Sequence, residues 1–241
     1  NHGDYILKPT KGSGSRGVQL INKNSDYKTA YNVCMESVRN QGHIIVEERI
    51  VGRSIDVNGV LINGKFYKSG ILEKYQIGSP TFLPLGGNDP VDIPVEDKDQ
   101  IYKLLEKAAL ALGLVNGPIK GDLIKGKSEY YILEVAARFH GDVTTCNILP
   151  FGSRINPIKF YFKYLYSGEI HEKYLKPSKN SYAAWRVICI PPGTLKKAPS
   201  FPTYQDASLT QVWHNIDQYQ KINKYDDTTN IPGYICAYGE N

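Results

Sequence analysis

Residues 5–21, YILKPTKGSGSRGVQLI, restrict the fold more than any other stretch. A short apolar run, Tyr5, Ile6 and Leu7, ends in Lys8-Pro9. A loop rich in Gly and Ser follows, and Val18-Gln19-Leu20-Ile21 reads as a second strand. Glycines 12, 14 and 17 satisfy G-x-G-x-x-G, a pattern common to several nucleotide-binding loops. A dinucleotide fingerprint opens a helix and is followed about 20 residues on by an acid. Here the loop opens into a β-type run, and Glu36, the acid nearest that spacing, lies in a helical pattern. A Walker loop needs Lys-Ser or Lys-Thr, whereas Gly17 is followed by Val18. What remains is a β-hairpin. Its tip is either a solvated turn or a flap that folds over a polyphosphate with its backbone N–H groups inward. Lys8, at the strand end, is placed to reach the same phosphates.

The 241 residues, 41% of them hydrophobic, suffice for one large domain or two to three small lobes. A net charge of +5 suits anionic ligands without demanding nucleic acid, and no arginine-rich arm or zinc-finger spacing occurs. The four cysteines, at 34, 146, 189 and 236, are far apart and form no CxxC. They suit reduced, mostly buried thiols of a cytoplasmic protein. No segment approaches the run of about 18 apolar residues that spans a membrane. Asn1 is not a start methionine and the glycine loop begins almost at once, so a chain cut from something longer is expected.

Further along, Ser25-Asp26 caps a helix expected to run to about Asn40 and to stop at Gly42. A strand at 43–46 leads into Glu47-Glu48-Arg49-Ile50-Val51-Gly52, which reads as a crossing between lobes. Residues 54–62 and 65–72 are strands joined by the hairpin turn Asn63-Gly64. Residues 75–95, with Pro80, Pro84, Gly86-Gly87, Pro90 and Pro94, read as irregular. A helix over 97–112 places Ile101, Leu104, Leu105, Ala108 and Leu112 on one face. Strands at 118–124 and 129–135 carry Asp122 and Glu134. A carboxylate in an apolar strand is costly to bury unpaired. Two on adjacent strands either share a cation or are one structural ion pair and one solvated group. Residues 136–142, AARFHGD, read as a turn. A helix starts at Asn156-Pro157 and stops at Gly168, a polar linker covers 169–180, and a smaller β-rich section follows, with strands at 182–190 and 233–238.

The order strand-LysPro-glycine loop-strand, Glu-Glu crossing, paired acidic strands and E-x-x-x-R resembles the ATP-grasp superfamily. Within it the chain is similar to carboxylate–amine ligases related to biotin carboxylase, carbamoyl phosphate synthetase and the L-amino-acid ligases. ILEVAARFHGD resembles that group's metal-and-arginine motif, and AAWRVICIPPGTL with GYICAYGEN resembles its C-terminal piece. The resemblance implies an α+β fold of two lobes clamping ATP: a small lobe over 1–48, a large lobe over 49–168 and a β-rich extension over 169–241. A preceding lobe, with a phosphate-binding lysine, would lie upstream of Asn1, and the fragment alone is expected to be inactive.

It also implies ATP-dependent joining of a small-molecule carboxylate to an amine, or to a thiol, through an acyl phosphate. The expected cofactors are ATP and Mg²⁺, with Mn²⁺ as a substitute. Nucleic acid and membrane are not expected partners, and a homodimer of the full-length protein is compatible with the reading. Lys8 would pair with the α/β phosphates, and Ser13, Gly14, Ser15 and Arg16 would cover the β/γ oxygens. Glu47, Glu48, Arg49 and Ile50 would meet the adenine. Ser54 would take the ribose-binding position, with Asp56 as a substitute. Asp122 and Glu134 would hold the metal, and Arg138 would stabilise the transferring oxygens or the substrate carboxylate. Lys74 and Lys120 are further candidates for the γ-phosphate, and His140 for a hydrogen-bonded pocket residue. Two positions depart from the family: Ala136 replaces an Asn that many members carry two residues after the metal Glu, and Ser54 replaces a Glu. The alternative is a nucleotide-binding module without turnover.

Overall fold

The computed structural model describes residues 3–78, 82–141, 143–178, 181–197, 200, 210–217, 219–226 and 228–240. Pro80, Asp142 and Asn180, each included in a segment read above, lie outside them.

Residues 3–48 hold a small three-stranded sheet. β1 (Tyr5–Pro9) and β2 (Gln19–Ile21) make the expected antiparallel hairpin, and β3 (Ile44–Glu48) pairs with the other edge of β1. Helix α1 (Tyr27–Glu36) covers one face. Asp26 caps it by accepting the Lys28 and Thr29 amides. Ala30 and Cys34, one turn apart, are buried with Leu7. The helix ends at Glu36, four residues before the expected Asn40. Arg39 and Asn40 take left-handed φ values of 52° and 57°, and their amides close back on the Glu36 and Met35 carbonyls.

The second sheet has eight strands. β4 (Arg53–Ile62), β5 (Lys65–Gln76), β6 (Pro84–Asp89), β7 (Gly117–Lys125) and β8 (Tyr130–Ala136) belong to the middle of the chain. β9 (Ser181–Val187) follows the helical segments, and β10 (Gly193–Thr194) and β12 (Lys221–Ile222) make a separate two-stranded ribbon. β11 (Thr210–His214) and β13 (Gly233–Glu240) complete the large sheet, whose order is β11-β13-β9-β6-β5-β4-β7-β8. The C-terminal strands therefore continue the sheet of the middle segment through the β6–β9 pairing, across the 168/169 boundary read from the sequence.

β4 is buried from Ile55 to Ile62 because both faces are covered. Its odd side, Ile55, Val57 and Leu61, packs against Ile101 and Leu105 of α2 (Val95–Ala111). Its even side changes character along the strand. Val60 and Ile62 meet Phe160, while Ser54, Asp56 and Asn58 face the site described below. After β8 come a π-helical turn (Thr144–Ile148), the short α3 (Leu149–Phe151) and α4 (Pro157–Ser167). α4 starts at the Asn156 cap and stops at a left-handed Gly168, as the sequence suggests. No helix among the described residues is long and apolar enough to cross a membrane. None of the four cysteines is in a disulfide, and only Cys34 and Cys236 are buried; Cys146 and Cys189 are exposed, which corrects the expectation of mostly buried thiols.

The segment 75–95 is a correction. It is not irregular throughout, since β5 extends to Gln76 and β6 fills 84–89. Its glycines read as breakers but serve close approach. A Cβ at Gly87 would stand 2.2 Å from the Glu73 carbonyl oxygen and 3.0 Å from Trp185 Nε1. Backbone on one side and a buried indole on the other leave no room to yield. Gly87→Ala should therefore cost about 3 kcal/mol, the upper end for overpacking, read as a lower midpoint in urea unfolding. An unchanged midpoint would refute this account of β6.

Candidate active site

A cavity of about 560 Å³ lies between the two sheets. The hairpin loop forms one wall, and β4, β5, β7 and β8 form the other. The loop is shaped from both ends. At its base Gly17 (φ 74°) abuts α1, where a Cβ would meet Ser37 Oγ at 2.1 Å. At its tip Gly14 (φ 70°) abuts Thr228, whose Oγ1 stands 2.2 Å from the place of a Cβ. Arg16 Nε donates to the Ser13 carbonyl at 3.1 Å, which tightens the tip.

Lys8 sits where the two sheets meet. The β1–β3 register sets Ile6 opposite Glu47, so Lys8 and Glu47 share a face. The Lys8 ammonium pairs with Glu47 at 2.5 Å and donates to the Leu133 carbonyl of β8 at 3.2 Å. Arg49 turns its guanidinium to Asp4 at 2.7 Å. Ser54 Oγ donates to Gln76 Oε1 at 3.0 Å.

The acids stand on the second sheet. Asp122 and Glu134 are opposite one another in the β7–β8 register, beside a bulge, so their side chains emerge on one face. Lys120 Nζ lies between them, 3.1 Å from Asp122 Oδ1 and 2.6 Å from Glu134 Oε1. Asp56 is opposite Asp122 on the other neighbour, β4. Lys74 Nζ bridges those two, at 3.0 Å from Asp56 and 3.3 Å from Asp122. The His140 ring completes the cluster, with Nε2 3.1 Å from Asp122 Oδ1 and Nδ1 2.9 Å from Asn58 Oδ1. Both ring nitrogens thus lie within hydrogen-bond distance of a side-chain oxygen.

Electrostatics follow from that packing. Burial pushes Asp122 up, but Lys74, the His140 hydrogen bond and Lys120 outweigh it and hold the carboxyl well below the usual range. Asp56 is likewise lowered, burial being outweighed by Lys74 and His140. For His140 burial favours the neutral ring, yet the charge of Asp56 and the Asp122 hydrogen bond raise its pKa to about 9. Among the described residues, the ligating atoms of Asp56, Asp122 and His140 form a group within 4.8 Å of one another. Lys74 already bridges two of them, so the pair open to the cavity is Asp122 and Glu134.

Lys8, Ser13, Gly14, Ser15, Arg16, Glu47, Glu48, Arg49, Ile50, Ser54, Lys74, Asp122 and Glu134 all line the one cavity. Arg138 does not; its guanidinium donates to the Phe139 carbonyl at 2.9 Å. Asp56 does not either. At 2% exposure and bound to Lys74, it is a buried structural acid, which corrects its reading as a substitute sugar ligand. The sequence reading also missed the Asp56–His140–Asn58 linkage. Its signal was present in β4, where polar Ser54, Asp56 and Asn58 alternate with apolar residues that the core demands.

A family model described as an ATP-grasp domain matches residues 2–147. A search of curated proteins by sequence gave no match. Among solved structures, the L-amino acid ligase from Bacillus licheniformis superposes with a TM-score of 0.78 at 22% identity, over 98% of this chain and 58% of that one. Biotin carboxylase from Campylobacter jejuni, in a complex with β-γ-ATP, gives 0.71 at 19%, over 98% and 53%. Phosphoribosylglycinamide synthetase from Anaerococcus prevotii gives 0.65 at 19%, over 98% and 59%. The chain thus spans little more than half the length of each, and at such identities the likeness speaks for the fold. With the family model covering more than half of its residues, and the two lobes and intervening cavity in place, the chain belongs to the ATP-grasp family.

Proposed function

We propose that the chain carries the nucleotide site of a ligase that joins a small-molecule carboxylate to an amine at the expense of ATP. The observation that carries the reading is one cavity lined by Lys8, a loop of backbone donors, and the facing carboxylates of Asp122 and Glu134. Phosphoryl transfer needs positioning and charge neutralisation above all. In this reading a carboxylate oxygen attacks the γ-phosphorus, the bond to the β–γ bridging oxygen breaks, and ADP leaves. The amine nitrogen then attacks the acyl carbon of the acyl phosphate, loses a proton, and phosphate departs.

Lys8 pairs with the α/β phosphates after releasing Glu47. Residues 13–16 lie over the β/γ oxygens. Glu47, Glu48, Arg49 and Ile50 form the edge against which the base is set. Asp122 and Glu134 suit Mg²⁺ or Mn²⁺, because they are hard oxygen donors on one face that already share a cationic group, the Lys120 ammonium. When bound, the metal supplies charge neutralisation on the phosphate oxygens. Arg138 is proposed for the substrate carboxylate, its planar fork leaving the Phe139 carbonyl to do so.

Its position outside the cavity also favours a second reading, a nucleotide-binding module without turnover. ADP release by the full-length protein over pools of carboxylates and amines separates the two: release that depends on a carboxylate supports the ligase, and nucleotide binding without it supports the module. Lys8 gives a direct test of the phosphate assignment. Lys8→Ala should weaken ATP by about 10- to 100-fold, the loss of a charge-assisted pair, and leave adenosine nearly unchanged in calorimetric titration. Equal weakening of both, or of neither, would remove Lys8 from the phosphate site.

A further inference from the structure

Lys120 precedes Asp122 by two residues on β7 and is 3% exposed. Its stem occupies the sheet face that Asp122 and Glu134 share, and its ammonium donates to both carboxylates. Its own neighbour across the ladder is Ala136, whose methyl offers no polar group and takes little of that space. The pair of carboxylates therefore has a built-in cation. On its far side, Asp122 also meets Lys74 and His140, which in turn meet Asp56. Three carboxylates thus face two ammonium groups and an imidazole.

That arrangement has a consequence for any metal ion. A buried ammonium is tolerated while it is paired and is costly once stranded. A bare divalent ion taking Asp122 and Glu134 would displace Lys120 and offer it no new anion. It would also add two positive charges beside an ammonium group, Lys74, that Asp122 already pairs with. A divalent ion that arrives with a polyphosphate brings the anionic oxygens to which the displaced ammonium can turn. We propose that Lys120 is the resident cation of the Asp122–Glu134 pair and makes metal binding there conditional on nucleotide. This rests on the assignment of that pair as the metal site.

The test uses Mn²⁺ as the probe, followed by its electron paramagnetic resonance signal, with the 241-residue chain in the presence and absence of a non-hydrolysable ATP analogue. The native chain should bind Mn²⁺ weakly alone and firmly with the analogue. Lys120→Met, similar in length and uncharged, should tighten binding of Mn²⁺ alone by about 10- to 100-fold, the range in which residues around a site alter metal affinity. Lys120→Gln should do the same, and adding Glu134→Gln to either variant should erase the gain. Two results would overturn the proposal: variants that unfold like the native chain yet bind Mn²⁺ alone no better, or a native chain that binds Mn²⁺ equally well with and without the analogue. The native comparison decides the matter even if both Lys120 variants fail to fold. Failure of the underlying assignment looks different: Mn²⁺ binding in the presence of the analogue would then be indifferent to Glu134→Gln.

Discussion

Glu134→Gln should reduce metal-dependent ADP formation by at least about a hundredfold, the loss typical when one electrostatic stabiliser of a reacting centre is removed. The fold should survive. Glu134 has a 60% exposed side chain, the substitution keeps its volume, and its one ion pair among the described residues is with Lys120. What it loses is the charge that, with Asp122, is proposed to hold a divalent ion. Asp122→Asn should be worse, and for a different reason. Asp122 is the junction of Lys74, Lys120 and His140, so neutralising it leaves three cationic groups with fewer counter-charges. Activity and stability should fall together in Asp122→Asn and separately in Glu134→Gln. ADP release at saturating metal–nucleotide, read beside thermal unfolding, distinguishes them. Full activity in Glu134→Gln would end the assignment of that residue to the metal.

The difference between those two acids shows what the sequence could and could not tell. The sequence put them on paired strands, and the register of β7 and β8 sets them opposite one another on one face. The hairpin, the Asn63-Gly64 turn and the Asn156 and Gly168 helix ends were legible for the same kind of reason, because each depends on residues within a few positions. β6 was not. Pro84, Gly86 and Gly87 break strands locally, and only the crowding by Glu73 and Trp185 explains why glycine is required there. The π-helical turn at Thr144–Ile148 has no local signature of its own. Arg138 was placed by motif alone, and a motif does not fix a rotamer; its guanidinium lies against the Phe139 carbonyl. His140 joins Asp56 and Asn58 across more than eighty residues of sequence, a contact that no spacing rule reaches.

That buried His140 contact should govern how stability varies with pH. Its folded pKa of about 9 lies above its unfolded value near 6.5. A raised base contributes stability in full below the unfolded pKa and loses it as pH rises through the folded one. The loss should therefore run from about pH 6.5 to about pH 9 and amount to about 3 kcal/mol. The acids bound to His140 act at the other end. Asp56 and Asp122 are lowered, so their contribution is present above about pH 3.9 and disappears as pH falls through their folded values. Asp89 differs from them: burial raises it to about 6, so it costs stability as pH climbs from about 3.9 to that value. The Cys34 thiol is also raised by burial, and for that reason the His140 window is best read below about pH 8, where thiols stay protonated. In urea unfolding the native chain should lose midpoint steadily between pH 6.5 and 8. His140→Gln should start lower at pH 6, because Asp56 and Asp122 lose a cationic partner, and should then change little over the same interval. The two chains should converge as pH rises. Parallel declines in both would mean that His140 is not the charged centre of the cluster, and the tie between Asp122 and Asp56 would then rest on Lys74 alone.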